Sequence, residues 1–235
     1  MLGGVPGAEP QNVAREAAAR AAAGLVQEGM TVGLGSGRAV LKLVEQLGPR
    51  AASFRTVTAS ERTAELAREL GIEVLQLDGR LELDLALDGA DEVGPGLALI
   101  KGGGGALLRE KIVIAAAPRF VVVAETAKRV ERLGETFRLP VEVVRFAWRD
   151  TRRRLAPLLP HAELRSRSDG EPYLTDEGHY ILDCALPAEP EPAALAGELD
   201  RVPGVVEHGL FLGLAERALL GRPDGGIDVL ERDHP

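Results

Sequence analysis

A lysine and a glutamate flank four consecutive glycines in the segment KGGGGALLRE. Glycine loses more conformational entropy on folding than any other residue, so four in a row call for an explanation. The N–H groups of Gly102, Gly103 and Gly104 can face developing negative charge, and a substrate can approach the bare backbone there. Glu110, in the first turn of a predicted helix and opposite Lys101, can act as a base. The alternative is an ordinary glycine turn followed by a solubilising charge, and this segment alone leaves both open.

Two aspartates stand three residues apart in the segment LDLALDGADEV. Asp88 and Asp91 follow a predicted strand, and Gly89 and Ala90 allow a tight turn between them that a substrate can contact. Two carboxylates on one loop can hold sugar hydroxyls or shuttle protons, and they also suit Mg²⁺. The alternative is a turn whose acids, including Glu92, are simply solvated.

A glycine-rich loop, GLGSGRAV, joins a predicted strand to a predicted helix. Backbone N–H groups at a helix start bind anions, and the helix dipole adds to the attraction. A dinucleotide fingerprint is the rival interpretation, but the next strand ends in Thr-Ala-Ser and not in an acid that could hold a ribose. The pattern favours a phosphate monoester. The predicted phosphate-binding residues are Ser36, Gly37, Arg38 and Ala39.

Strand and helix patterns alternate through the first half of the chain. The pattern predicts an α/β fold with a Rossmann-like, mainly parallel sheet flanked by helices. We expect the three motifs above to project from one end of that single sheet, where ligands bind in such folds. The predicted helices cover residues 11–28, 38–47, 61–70 and 106–117, and the predicted strands cover 30–35, 54–60, 72–77, 83–89, 97–102 and 119–125.

From residue 138 the order changes to β-α-β-β-α-β, which is the ferredoxin-like arrangement. Its predicted strands cover 140–146, 162–167, 173–186 and 204–211, and its predicted helices cover 148–159 and 192–202. In the C-terminal segment RALLGRPDGGIDVLE, the pattern predicts two strands joined by a Pro-Asp-Gly-Gly turn. We expect these strands to return to the first domain. The predicted domains are a Rossmann-like catalytic domain (1–137), a smaller ferredoxin-like α+β domain (138–209) and the C-terminal return (210–235).

The amino-acid composition excludes several classes of binding partner. The formal charge of −8 argues against nucleic acid, and the basic residues at 149–154 are typical of a solvated helix face. Cys184 is the single cysteine, and the histidines are isolated in sequence, so we expect no disulfide and no zinc site. No apolar run is long enough for a membrane span, and the N-terminus lacks a secretory pattern. We therefore expect a cytoplasmic protein whose partner is a small molecule.

Taken together, the motifs suit abstraction of a proton next to a carbonyl group. That reaction needs a base, donors for the enediolate oxygen and a hold on the substrate, and these residues can supply all three without a cofactor.

The motifs also resemble a known family. GLGSG, TASERTAELARELGI, LALDGADEV, LIKGGGGALLREKI, AETAK, PVEV, LTDEGHYILD, PGVVEHGLF and LGRPDG, in this order, are similar to type A ribose-5-phosphate isomerases over residues 12–228. The resemblance implies interconversion of D-ribose 5-phosphate and D-ribulose 5-phosphate in the pentose phosphate pathway, without a metal. It also implies a homodimer or a dimer of dimers.

By position, Glu110 resembles the family's base, which moves a proton between C2 and C1 of the open-chain sugar. Asp88, Asp91 and Lys101 match the residues that handle the ring oxygen and hydroxyls and support the enediolate. Lys128 matches a further substrate-binding lysine, although its segment AETAK differs from the usual Asp-x-Ser-Lys.

The phosphate loop departs from the family pattern Gly-Thr-Gly-Ser-Thr-Ala, because two hydroxyls are lost and Arg38 is gained. We expect Arg38, with Arg15 on the first helix, to contact the phosphate instead. Two other functions remain open at this point: a sugar-phosphate-binding sensor, and an amino-sugar phosphate deaminase of related fold. The lack of a histidine near the predicted strand ends counts against the deaminase.

Overall fold

The computed structural model describes residues 8–188 and 191–232, which form two compact units. Residues 1–7 of the N-terminal stretch lie outside this range. Within this range, the first unit holds residues 8–90, Ile112–Arg129 and residues 214–232. The second unit holds Asp91–Lys111 and Val130–Gly213.

Six α-helices and fourteen β-strands form within the described residues. The helices are α1 (Ala8–Ala23), α2 (Gly37–Leu47), α3 (Glu61–Glu69), α4 (Leu107–Ala115), α5 (Trp148–Leu155) and α6 (Pro192–Leu199). The strands are β1 (Thr31–Leu34), β2 (Arg55–Thr58), β3 (Glu73–Val74), β4 (Leu85–Asp88), β5 (Glu92–Val93), β6 (Leu99–Ile100), β7 (Phe120–Glu125), β8 (Leu139–Val143), β9 (Ala162–Leu164), β10 (Tyr180–Cys184), β11 (Val205–His208), β12 (Leu210–Phe211), β13 (Arg217–Gly221) and β14 (Ile227–Glu231).

The first unit is built on a seven-stranded sheet in the order β14-β13-β7-β4-β1-β2-β3. Its pairings are parallel except for the β13–β14 hairpin. Strands β1, β4 and β7 are buried along their whole length, as expected for a parallel sheet covered on both faces. Helix α2 contributes one apolar face at helical spacing, made by Ala39, Val40, Leu43, Val44 and Leu47. The predicted α/β fold is confirmed.

The second unit contains the predicted β-α-β-β-α-β arrangement. Its four-stranded sheet has the order β11-β8-β10-β9, and every pairing is antiparallel. Helix α5 connects β8 to β9, and helix α6 connects β10 to β11. A buried cluster that includes Leu139, Val141, Leu155, Leu182 and Leu199 forms the core of this unit.

A third sheet was not expected. Strand β6 was predicted, as part of 97–102, in the large parallel sheet, but it lies in a three-stranded antiparallel sheet of order β12-β6-β5. The chain reverses before β6 through a turn in which Gly96 and Leu97 have φ values of 64° and 58°. The expectation that all three motifs project from one sheet is therefore wrong, because Lys101 follows a strand of this small sheet.

The compact units also divide the chain differently from the predicted domains, 1–137, 138–209 and 210–235. Residues Asp91–Lys111 fall in the second unit, where β6 pairs with β5 on one side and with β12 on the other. Strands β13 and β14 join the sheet of the first unit beside β7. The domain boundaries themselves stay a prediction.

Several predicted elements have other bounds in the structure, and three of them have a clear physical reason. Helix α1 stops at Ala23 instead of residue 28, because the chain turns at Gly24. The strand predicted over 173–186 is confined to β10, since the Thr175 N–H donates to the His179 carbonyl (3.0 Å) and closes a turn. The strand predicted over 204–211 is two strands in two sheets, divided at Gly209.

Among the described residues, no helix has the length and apolar character that crossing a membrane requires.

Gly221 allows helix α1 to pack closely on β13. A Cβ at this position would lie 1.7 Å from the Ala14 carbonyl oxygen, which is backbone and cannot swing away. We expect Gly221→Ala to lower the free energy of unfolding by about 1–3 kcal/mol, as overpacking does. Urea unfolding measures the change.

The control is Gly197→Ala in helix α6, where the nearest atom to an added Cβ is the Arg201 guanidinium, 3.7 Å away. This change should raise stability by about 0.5–1 kcal/mol, because alanine is the better helix former. Wild-type stability in Gly221→Ala would contradict the account of the close packing.

Candidate active site

A buried ion pair joins the two ends of the glycine segment in the second unit. Lys101 Nζ lies 3.1 Å from Glu110 Oε2, and the two side chains are only 3% and 4% exposed. Glu110 lies in the first turn of α4, where its N–H donates to the Ala106 carbonyl (2.8 Å). Taking both charges out of water is tolerable because each offsets the other. An ammonium group and a carboxylate therefore meet where the sequence predicted a base and its partner.

The residues on either side of Glu110 are tied to other parts of the same unit. Arg109 donates to Glu177 (Nε to Oε1, 2.6 Å) and to Asp176 (Nη1 to Oδ2, 3.3 Å). Lys111 Nζ donates to Glu207 Oε1 (2.5 Å) and to the carbonyls of His208 and Leu210. The first turn of α4 is thus held on both flanks.

Phe211 adds a buried aromatic surface next to both lysines. Its ring centroid lies 5.3 Å from Lys101 Nζ and 4.7 Å from Lys111 Nζ, within the range of cation–π attraction. Burial lowers the pKa of Lys111, and the hydrogen bond and charge of Glu207 oppose that shift. Sequence reasoning missed Phe211, because nothing in the local sequence marks it as more than a core aromatic residue.

The glycines are required mainly by the protein's own side chains. Gly102 and Gly105 have φ values of 106° and 84°, which favour glycine. The Gly103 N–H donates to Asp91 Oδ2 (2.7 Å), and a Cβ on Gly103 would lie 2.7 Å from the Asp91 carboxylate. A Cβ on Gly105 would lie 2.3 Å from the Tyr173 hydroxyl. At Gly103 and Gly105, the position that a Cβ would take is therefore filled by these side chains.

The carboxylates of Asp91 and Glu92 accept hydrogen bonds from backbone N–H groups of the second unit. Asp91 accepts the Gly103 N–H as described, and its own N–H donates to the Ile100 carbonyl (2.8 Å). Glu92 is fully buried and accepts N–H bonds from Gly134, Thr136 and Phe137. The interpretation of Glu92 as a solvated acid is wrong, because the loop after residue 133 folds around its carboxylate.

Asp88 is buried at the end of β4 in the first unit. Its Oδ1 accepts the N–H of Gly89 (2.7 Å) and the N–H of Ser36 (3.1 Å). Gly35 packs directly on this carboxylate, since a Cβ there would lie 1.7 Å from Asp88 Cγ. The first aspartate of the DGADE segment is thereby fixed to the glycine loop that follows β1. Ala90 follows in the same loop, partly exposed.

The predicted phosphate loop lies at the start of α2. Ser36 is the N-cap residue, Gly37 has a φ of 86°, and Arg38 is exposed in the first turn. Ala39 is buried and packs inward. The Thr63 hydroxyl donates to the Gly35 carbonyl (3.0 Å), a support for the loop that the sequence did not indicate.

Lys128 and Arg15 also lie in the first unit. Lys128 is partly exposed in the short 3₁₀ turn after β7. Arg15, on α1, is buried and forms an ion pair with Glu125 at the end of β7. A cation that is already paired in this way has less to offer a phosphate than the exposed Arg38.

One group of three possible metal ligands occurs in the described part of the chain: Asp200, Glu207 and His208, with ligand atoms within 4.8 Å of one another. His208 Nδ1 accepts the Leu210 N–H, so the proton of the neutral ring is on Nε2, which faces Asp200 at 3.3 Å. Burial and the charge of Lys111 lower the pKa of His208. Because Lys111 already provides the positive charge at Glu207, the geometry is that of a hydrogen-bonded cluster and does not favour a cation.

A carboxylate held beside an ammonium group can transfer protons, and a glycine loop at a helix start can bind a phosphate, so the residues present suit an enzyme of proton transfer on a phosphorylated substrate. The family model for ribose 5-phosphate isomerase A (phosphoriboisomerase A) matches residues 55–225. The chain is 50% identical over 223 residues to ribose-5-phosphate isomerase A of Synechococcus sp. (strain JA-3-3Ab), covering 93% of this chain and 96% of that protein. The chain belongs to the ribose 5-phosphate isomerase A family.

Solved structures agree with this assignment. Ribose 5-phosphate isomerase A from Methanocaldococcus jannaschii is 34% identical, with a TM-score of 0.87, and the match covers 94% of this chain and 98% of that one. A D-ribose-5-phosphate isomerase in complex with phospho-erythronic acid is 33% identical, also with a TM-score of 0.87, covering 93% and 97%. The family resemblance is confirmed, and the sensor and deaminase alternatives are not favoured.

The close approach of Gly35 to Asp88 yields a prediction. Gly35→Ala should displace the Asp88 carboxylate from the Ser36 and Gly89 N–H groups and lower the free energy of unfolding by about 1–3 kcal/mol. Chemical denaturation measures the change. Gly89→Ala is the matched control, because the nearest atom to its added Cβ is 3.7 Å away, an ordinary contact. Equal losses in the two variants would rule out the proposed packing.

Proposed function

We propose that this chain is an aldose–ketose isomerase that interconverts D-ribose 5-phosphate and D-ribulose 5-phosphate. The single observation that carries the proposal is the buried Lys101–Glu110 pair at the two ends of the glycine segment, in a chain of this family. The related isomerase with bound phospho-erythronic acid supports the substrate class. That ligand carries a phosphate and a carboxylate, and an enediolate phosphate likewise carries negative charge at both ends.

In the proposed reaction, Glu110 removes the proton from C2 of the open-chain aldose. The electrons of the C2–H bond form the C1–C2 double bond, and the carbonyl electrons move to O1 to give a cis-enediolate. Glu110 then returns its proton to C1, where the electrons of the C1–C2 double bond take it up. The proton of the C2 hydroxyl passes to O1, and the electrons left on O2 form the ketose carbonyl. The aldose and the ketose contain the same atoms and the same number of electrons, so the reaction requires no redox partner.

Lys101 is proposed to stabilise the enediolate. Its ammonium group is held beside the base by the 3.1 Å contact, and charge developing on O1 or O2 can be drawn to the same cation. Asp88 and Asp91 are proposed to handle the ring oxygen and hydroxyls before the chain form reacts. Gly89 and Ala90 are the two residues between these aspartates in sequence. We therefore propose that residues 88–91 all contact the same sugar.

The start of α2 is proposed to hold the phosphate. Gly37 and Ala39 contribute backbone N–H groups at the helix start, and Ser36 and Arg38 contribute side-chain donors. Lys128 is proposed as a further substrate contact. Glycines 102–104 remain proposed neighbours of the sugar, with the Gly103 N–H already engaged by Asp91.

Assembly and location are further parts of the proposal. Membership of the family supports a role in the pentose phosphate pathway, a homodimer or a dimer of dimers, and a place in the cytoplasm. Light scattering coupled to gel filtration would distinguish the two assemblies from a monomer.

Removing the base should abolish most of the turnover. We expect Glu110→Gln to lower kcat for ribose 5-phosphate by about 10²- to 10⁴-fold, the usual contribution of a general base. Formation of the ketose is followed in the presence of excess substrate. Glu65→Gln, which changes an exposed glutamate on α3, should keep the wild-type rate. Near-normal turnover in Glu110→Gln would remove Glu110 from the mechanism.

We expect the Arg38 side chain to strengthen binding of the substrate phosphate. Arg38→Ala is expected to raise KM for ribose 5-phosphate about 10- to 100-fold, the equivalent of one charge-assisted hydrogen bond, with a smaller effect on kcat. Arg68→Ala, which removes an exposed arginine from α3, serves as the control. An unchanged KM in Arg38→Ala would show that the guanidinium does not contact the phosphate.

A further inference from the structure

Three consecutive carbonyl groups of the glycine segment accept hydrogen bonds from side chains that lie far away in sequence. Arg165 Nη1 donates to the carbonyls of Gly102 (2.9 Å) and Gly103 (3.1 Å). The Tyr173 hydroxyl donates to the carbonyl of Gly104 (3.1 Å). All these residues lie in the second unit. The segment is therefore held through its backbone oxygens.

The guanidinium of Arg165 is itself fixed in place. Asp183, on β10, accepts from its Nε (2.9 Å) and its Nη2 (2.5 Å), which is a bidentate pair. The Arg165 side chain is only 13% exposed. The Arg165 carbonyl also accepts the Tyr173 N–H (2.9 Å), so the two donors lie on adjacent stretches of backbone. A planar fork with five donors can serve Asp183 and two carbonyls at once, whereas the ammonium group of a lysine cannot.

Without these contacts fewer hydrogen bonds would restrain the glycine segment, chiefly the bond from the Gly103 N–H to Asp91. Glycines have no side chains to pack and the widest choice of backbone conformations. Carbonyl oxygens carry partial negative charge, so a carbonyl that rotated toward the substrate would repel an enediolate. Rotation would also move Lys101, which directly precedes the glycines, away from Glu110. A misplacement of about 1 Å can reduce a rate by 10²-fold.

We propose that Arg165, supported by Asp183 and Tyr173, is a positioning residue for the isomerase. It fixes the carbonyls of Gly102 and Gly103 so that Lys101 and Glu110 keep their relative placement during proton transfer. This inference rests on the proposed function, since it assigns Arg165 a role in the same reaction without contact to the sugar.

The test compares Arg165→Met with Arg167→Met. Arg167 is two residues away and also pairs with an aspartate, Asp169, but at 3.2 Å in an exposed position. For Arg165→Met we expect kcat to fall about 10- to 100-fold, with KM for ribose 5-phosphate within about threefold of wild type. Arg167→Met should match wild type in both constants. Thermal unfolding shows that the variants are folded at the assay temperature.

Two milder variants keep the test valid if Arg165→Met does not fold. Arg165→Lys retains the charge and should recover part of kcat, and Asp183→Asn should give an intermediate loss. Because Asp183 acts through Arg165, the losses of Asp183→Asn and Arg165→Lys should not add in the double variant. Folded variants at Arg165 that keep the wild-type kcat would overturn the proposal, even if their melting temperatures fell.

Amide hydrogen exchange over residues 101–110 provides a readout that does not depend on activity. Exchange there should rise at least about 10-fold in Arg165→Met and stay at the wild-type rate in Arg167→Met. Unchanged exchange would overturn the positioning role whatever the kinetics show. A wild-type protein that forms no ribulose 5-phosphate would instead overturn the proposed function, and the exchange data would still decide whether Arg165 orders the segment.

Discussion

The buried contact between Lys101 and Glu110 is the constraint on which the second unit depends. Both charges are almost completely removed from water, 3.1 Å apart, so loss of either partner would take this contact from a charge that stays buried. Changes of that kind typically destabilise a protein by about 3–5 kcal/mol. Four glycines and the start of α4 separate the two residues in sequence. The pair can therefore persist only if other groups hold these glycines, and Asp91, Arg165 and Tyr173 are placed to do so.

The same constraint explains why the site is rich in glycine without being loose. Gly103 and Gly105 leave room for Asp91 and Tyr173, while Gly35 leaves room for Asp88. In each case a missing Cβ lets a polar side chain lie against the backbone. The entropy lost in ordering glycine is offset by hydrogen bonds that a larger residue would block. Polar groups are thus held by backbone, which suits chemistry that requires fixed distances.

Local sequence predicted much of the fold and of the candidate site. Buried strands such as β1, β4 and β7, the amphipathic face of α2 and the β-α-β-β-α-β order follow from apolar periodicity. The residue types at 88, 101 and 110 indicated proton transfer before any comparison, and the order of the motifs indicated the family. The features that the sequence did not predict are contacts between residues that lie far apart in the chain. Nothing near Leu99 shows that β6 pairs with β12, more than a hundred residues later, or that Arg165 reaches the carbonyl of Gly102.

The central claim is that Glu110 carries a proton between two carbons of one sugar through an enediolate. Isomerisation in D₂O, followed to equilibrium by NMR, tests this claim most directly. A carboxylate base exchanges its proton with solvent over many turnovers, so the account predicts deuterium at C1 of ribulose 5-phosphate and at C2 of recovered ribose 5-phosphate. A mixture that reaches equilibrium without deuterium at either carbon would indicate direct hydride transfer and would contradict the account.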